Sequence, residues 1–196
     1  MLKIGAAAAA SVDWIQIREK DLSGRDGGWL TREALRRFIK SHASSETATR
    51  ILVNDRVDVA LSERAAGVHL GENSLPLTET KRLVSVQASR QGFLVGVSCH
   101  SLEAARTAVS GGADYLFFGP VFATPSKAAY GAPQGLELLS KVCRAAPIPV
   151  LAIGGITAAN AFDCLAAGAS GIAAIRLFQE APDLLALVHS LRKLTV

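Results

Sequence analysis

Little in this 196-residue sequence lends itself to cross-linking or to holding a soft metal. Its three cysteines, Cys99, Cys143 and Cys164, are odd in number, far apart and without a CxxC pair. That argues against disulfide staples and against a zinc site, and it leaves buried filler as their reading. Long hydrophobic runs are also missing: no stretch of about 18 uncharged apolar residues occurs. The apolar segment Ile4 to Ala10 is short, alanine-rich and followed by Asp13, with no cleavage-site pattern. A soluble, cytoplasmic protein with no membrane partner is expected. Charge of one sign is not concentrated. The formal net charge is +4, but basic residues such as Arg32, Arg36, Arg37 and Lys40 are scattered along a predicted helix. A solvated helix face is favoured over a nucleic-acid surface, with anionic small molecules as the second reading.

What is present is apolar matter in short, evenly spaced runs. Hydrophobic residues make up 49% of the chain and charged ones 19%, enough to bury one core in a chain too short for two ordinary domains. A single domain over residues 1–196 is expected. Seven segments predict strands: Trp14 to Ile17, Ile51 to Val53, Gly67 to Leu70, Leu94 to Val97, Tyr115 to Phe118, Pro149 to Ile153 and Gly171 to Ile175. Between and after them, apolar residues recur every three or four positions. This predicts helices over Thr31 to His42, Val57 to Arg64, Thr78 to Gln87, Leu102 to Ser110, Leu136 to Ala145, Ala158 to Ala167 and Pro182 to Leu194.

Strands that are apolar almost throughout, each followed by a helix, belong to a parallel sheet covered on both faces. Their regular repetition favours an α/β TIM (β/α)8 barrel, whose function sits on the loops after the strands. The junctions at Ala65 to Val68, Gly111 to Tyr115 and Ala167 to Gly171 share a glycine that is read as ending the preceding helix. These lie on the stability face. The chain opens in a helix-like segment, Leu2 to Ala10, so the barrel lacks its first strand. A truncated start, an open edge, or an edge supplied by another chain each accounts for that, and an unpaired apolar strand is compatible with a homodimer.

Polar residues gather where the predicted strands end. In Gln16-Ile17-Arg18-Glu19-Lys20, alternation puts Gln16, Arg18 and Lys20 on one face, and two converging cations suit a phosphate or diphosphate; an exposed charged loop is the alternative. In Asn54-Asp55-Arg56, Asp55 suits either a hard-cation ligand or the N-cap of the next helix, and spacing favours the cap. His69 reads more as a core histidine than as a catalyst. Thr124-Pro125-Ser126-Lys127 is a diphosphate-holding loop or a plain turn. Gly154-Gly155 after the Pro149 to Ile153 strand, with Ile175-Arg176 after the last, matches the backbone phosphate site of a barrel, against a glycine needed only for a turn.

Taken in order, Gln16 to Lys20, Val53 to Arg56, Gly67 to Gly71, Gly112 to Tyr115, Gly119 to Lys127 and Ala152 to Ile156 resemble the thiamine phosphate synthase/TenI family, and the likeness spans almost the whole chain. The resemblance implies an enzyme that acts on phosphorylated thiamine precursors: it joins hydroxymethylpyrimidine diphosphate to thiazole phosphate and releases diphosphate with Mg²⁺. It places Gln16, Arg18, Lys20, Asn54, Ser98, Thr124, Ser126 and Lys127 around the pyrimidine diphosphate, Asp55 on magnesium and Gly155 on the thiazole phosphate. Arg18, Lys20 and Lys127 then neutralise the leaving diphosphate as a pyrimidine carbocation forms.

This chain departs from the synthase pattern twice. Synthases of the family carry an aspartate, the second magnesium ligand, where Gly71-Glu72-Asn73-Ser74 places Ser74. They carry a serine where this chain has Arg176. Both changes lean toward the TenI branch, whose thiazole tautomerisation needs no metal, yet the histidine that performs it falls here at Pro120. Retention of Arg18, Lys20, Asp55 and Lys127 favours the synthase, with a tautomerase or a catalytically inactive ligand-binding relative as alternatives.

Overall fold

The structure, a computed structural model, describes residues 2–19, 21–41, 49–86, 92–124 and 132–195. Seven strands alternate with helices: α1 (Leu2–Ala9), β1 (Trp14–Ile17), α2 (Gly24–Ser41), β2 (Arg50–Asn54), α3 (Val57–Ser62), β3 (Gly67–Leu70), α4 (Leu77–Val86), β4 (Leu94–Cys99), α5 (Leu102–Ser110), β5 (Tyr115–Phe118), α6 (Gly135–Ala145), β6 (Val150–Ile153), α7 (Ala161–Ala166), β7 (Gly171–Ala173), α8 (Arg176–Gln179) and α9 (Leu184–Arg192). Parallel strands taken in chain order, each with its helix, are the TIM-barrel pattern lacking one strand. Among the described residues no helix is long and apolar enough to cross a membrane.

The chain divides into two compact units, residues 1–95 with 183–188, and residues 96–182 with 189–196. In the first, β1, β2 and β3 pair in parallel, Ile17 opposite Val53 and Asn54 opposite His69. Ile17, Ile51 and Ala34 form a core there, with Ile4, Ile15, Leu30 and Leu35 packed against it. The opening of β4 lies beside β3, where the Leu94 amide donates to the Ala66 carbonyl at 3.0 Å. In the second unit β4, β5, β6 and β7 pair in parallel, Cys99 opposite Phe118, Phe118 opposite Ala152, and Ile153 opposite Ala173. The core there is built on Tyr115, Leu116, Phe118, Leu139, Val142 and Val150, all fully buried or nearly so. Gly96 makes room for the Tyr115 ring: a Cβ at that position would stand 2.0 Å from Tyr115 Cζ.

Cys99 and Cys164 are buried and Cys143 half-buried, as filler should be. Burial pushes the Cys99 and Cys164 thiols up to about 11, which keeps them protonated and inert.

Three local readings need correction. Helix α2 begins seven residues before Thr31, because Ser23 and Asp26 cap it reciprocally: the Asp26 amide donates to Ser23 Oγ at 3.2 Å and Ser23 Oγ donates to Asp26 Oδ2 at 2.7 Å. The glycines at 24, 27 and 28 hid that start, since propensity alone argues against a helix there. Gly67 does not end α3; Glu63 caps that helix, and Gly67 opens β3, where a Cβ would stand 2.3 Å from the Leu94 carbonyl oxygen. The N-cap of α3 is Arg56, without a side-chain cap bond, so Asp55 is released from the capping role that spacing favoured.

Candidate active site

The first unit assembles a carboxylate site at the ends of β1, β2 and β3. Asp55 leaves β2 at φ 61°, a left-handed conformation that short polar side chains tolerate better than most residues. Its amide donates to the His69 carbonyl at 2.9 Å, which fixes the turn against β3. Three hydrogen bonds then orient the carboxylate, and a fourth steadies the serine that makes one of them. Asn54 Nδ2 donates to Oδ2 at 2.6 Å, and the Gly71 amide donates to Oδ1 at 3.4 Å. The Ser74 hydroxyl donates to Oδ1, while its oxygen accepts from the Gly71 amide at 2.7 Å. Gln16 Nε2 extends the chain by donating to Asn54 Oδ1 at 3.5 Å. Thus Gln16, Asn54 and Asp55, predicted as site residues, do meet. Arg18 follows β1 directly and is exposed.

His69 lies beneath this site and is almost wholly buried. Burial pushes its pKa down to about 4, against the pull of the Asp55 charge and with the help of Arg18. The ring is therefore neutral near pH 7, a core histidine. Below pH of about 6.5 the unfolded chain binds a proton that the folded His69 refuses, so stability falls as pH drops from about 6.5 toward 4. We expect a loss of up to about 3 kcal/mol from this group. Denaturant titrations at pH 7 and pH 4 will show a steeper acid loss for the wild type than for His69→Gln.

The second unit builds a backbone cradle after β6. Gly154 and Gly155 adopt φ 93° and 67°. A Cβ on Gly154 would meet Pro120 Cβ at 2.5 Å, and one on Gly155 would meet the Ala123 carbonyl oxygen at 2.6 Å. Only glycine allows both the left-handed turn and that approach. Thr157 and Asn160 lock the cradle: the Thr157 amide donates to Asn160 Oδ1 at 2.8 Å, the Asn160 amide to Thr157 Oγ1 at 3.3 Å, and Asn160 Nδ2 to the Gly155 carbonyl at 3.0 Å. A turn of this kind can aim backbone N–H groups at an anion. Arg176, the first residue of α8, donates from Nη2 to Thr124 Oγ1 at 3.3 Å, so two further predicted residues meet. Ile175, just before α8, is exposed, and Ser98 is half-buried on β4. Lys20, Ser126 and Lys127 lie outside the described residues.

Sequence reasoning missed Asn160 and His100. Thr157-x-x-Asn160 carries the spacing of a reciprocal cap and was legible. His100, whose Nδ1 bonds the Gly119 carbonyl, had no local signal.

A TIM-type (β/α) barrel with an oriented carboxylate after one strand and a paired-glycine turn after another has the layout of barrel enzymes, whose chemistry sits on the loops that follow the strands. The family model described as thiamine monophosphate synthase matches residues 2–178, and the chain belongs to that family. It is 44% identical over 186 residues to the thiamine-phosphate synthase of Methanoculleus marisnigri, covering 95% of this chain and 83% of that one. Against the thiamine-phosphate synthase of Methanocella arvoryzae it is 42% identical over 186 residues, 95% of this chain and 82% of the relative. The solved thiamine phosphate pyrophosphorylase from Pyrococcus furiosus superposes with a TM-score of 0.83 at 32% identity, covering 98% of this chain and 87% of that one. A likeness to 3-hexulose-6-phosphate synthase, TM-score 0.68 at 18% identity over 98% of this chain and 92% of that one, shows the fold alone.

Proposed function

We propose that this chain is a synthase that joins hydroxymethylpyrimidine diphosphate to thiazole phosphate. The bond between the pyrimidine methylene carbon and the diphosphate oxygen breaks, and its electron pair leaves with diphosphate. The thiazole nitrogen then donates its lone pair to the methylene carbon, giving thiamine phosphate. No proton need move, so the protein's task is to neutralise and orient charge. On this reading the charges of Arg18, Lys20 and Lys127 serve to neutralise the diphosphate, and the roles of Gln16, Asn54, Ser98, Thr124 and Ser126 are to bind the pyrimidine diphosphate. Gly154, Gly155, Ile175 and Arg176 take the thiazole phosphate.

The observation that carries this reading is the Asp55 carboxylate, held by Asn54, Gly71 and Ser74 at the end of the strand next to β1, which Arg18 follows. A metal-free tautomerase has no use for such a group. Among the described residues no cluster of three or more His, Cys, Asp or Glu stands ready for a metal. Mg²⁺ needs only one or two carboxylates when substrate phosphates and water complete its shell, and Asp55 with the neutral Ser74 oxygen is a hard-donor set of that kind. Asp55 would hold the ion, which would supply positive charge to the departing diphosphate.

A coupled assay for thiamine phosphate, with and without Mg²⁺, tests the proposal. Product should require both substrates and the metal. Ser74→Asp adds a second carboxylate and should lower the Mg²⁺ concentration for half-maximal rate by roughly tenfold. Absence of product at ample Mg²⁺ in both proteins, with conversion of the thiazole tautomer in chelator, would replace this reading with the tautomerase.

A further inference from the structure

We propose that His100 is a positioning residue for the thiazole phosphate cradle, an inference that rests on the function proposed above. His100 is the first residue after β4, and Gly119 is the first after β5. A carbonyl oxygen can only accept, so the contact between His100 Nδ1 and the Gly119 carbonyl has the imidazole donating from Nδ1. The Gly119 amide donates in turn to the Cys99 carbonyl at 3.3 Å, so this peptide is held on both sides by the end of β4.

Gly119 begins the segment on which the cradle rests. A Cβ at Gly119 would stand 2.0 Å from the Ile153 carbonyl oxygen, so its backbone lies directly against the end of β6. Val121 then donates to the Ile153 carbonyl at 2.9 Å and Phe122 to the Gly154 carbonyl at 3.0 Å. Pro120 fills the space beside Gly154, and Phe122 and Ala123 fill the space beside Gly155. The residues that shape the phosphate turn therefore run straight on from the peptide that His100 holds, and Thr124 follows them. The imidazole itself is exposed, so its loss removes a fixed point for the loop and not a part of the core.

Three variants test this: His100→Ala, His100→Asn, whose amide nitrogen can stand where Nδ1 stands, and His100→Asp, which cannot donate to a carbonyl when ionised. In steady-state assays His100→Ala and His100→Asp should raise the KM for thiazole phosphate roughly tenfold, the worth of one well-placed hydrogen bond. The KM for the pyrimidine diphosphate, whose proposed partner Thr124 lies further along the same segment, should rise clearly less, and His100→Asn should return the thiazole phosphate KM to near the wild-type value. Thermal melts of all four proteins show that each is folded. Equal rises in both KM values, or no recovery in His100→Asn, would overturn the proposal. Should the wild type make no product, the function falls but the inference is still read by calorimetric titration with thiazole phosphate. A weakening of roughly tenfold in His100→Ala, restored in His100→Asn, sustains it; equal affinity in the three, or no binding by the wild type, overturns it.

Discussion

Replacing Asp55 with asparagine is expected to lower kcat/KM by about a hundredfold or more while leaving the protein folded. The carboxylate sits at the focus of Asn54, Gly71 and Ser74, and Gln16 reaches it through Asn54. Asparagine tolerates the φ of 61° that Asp55 adopts and keeps one acceptor oxygen for those donors. What it removes is the negative charge. Asp55→Ala removes the charge and also places a side chain ill-suited to that φ where its donors lose their partner. Its activity should fall as far as that of Asp55→Asn, and its melting temperature should fall further. Steady-state kinetics at saturating Mg²⁺, alongside thermal melts, separate the two effects. Equal activity in Asp55→Asn and the wild type would show that the charge does no chemistry.

Gly155→Val should cost the most at the other site. The new Cβ would lie 2.6 Å from the Ala123 carbonyl oxygen and 2.7 Å from Phe122 Cβ, at a φ of 67° that β-branched residues avoid. Neither neighbour is the free end of a flexible side chain, so the loop or the turn must move. A stability loss of about 2–4 kcal/mol is expected from strain and crowding together. The cradle amides also move, so the KM for thiazole phosphate should rise by roughly a hundredfold, with the pyrimidine diphosphate less affected. Chemical denaturation and substrate titrations check the two parts. A fully stable variant with unchanged KM would mean that the turn is only a connection.

Much of this was legible in the chain because the signals were periodic. All seven strands lie where β-branched and apolar runs placed them, since a strand buried on both faces is written as an uninterrupted apolar run such as Tyr115 to Phe118. Helix α5 matches its predicted bounds, where Ser101 supplies a cap by accepting from the Ala104 amide at 3.1 Å. The start of α2 was hidden because glycine-rich composition masked a Ser23–Asp26 cap. At the site, Gly154-Gly155 announced a tight turn after β6, and φ values of 93° and 67° bear that turn out. Asp55 was ambiguous, because a carboxylate one residue before a helix reads as a cap until its φ and partners are known. The roles of Ser74 and His100 were beyond reach from spacing. Each acts through a residue far along the chain, Ser74 on Asp55 and His100 on Gly119, and only the fold brings such pairs together.

The central claim is that this protein forms a carbon–nitrogen bond at the expense of a diphosphate ester. Phosphorus NMR of the purified protein mixed with hydroxymethylpyrimidine diphosphate, thiazole phosphate and Mg²⁺ tests it directly. The account predicts inorganic diphosphate and thiamine phosphate rising together in equal amounts, with neither formed when one substrate is withheld. Diphosphate released without thiamine phosphate, or both substrates persisting unchanged over many hours at high protein concentration, would contradict it.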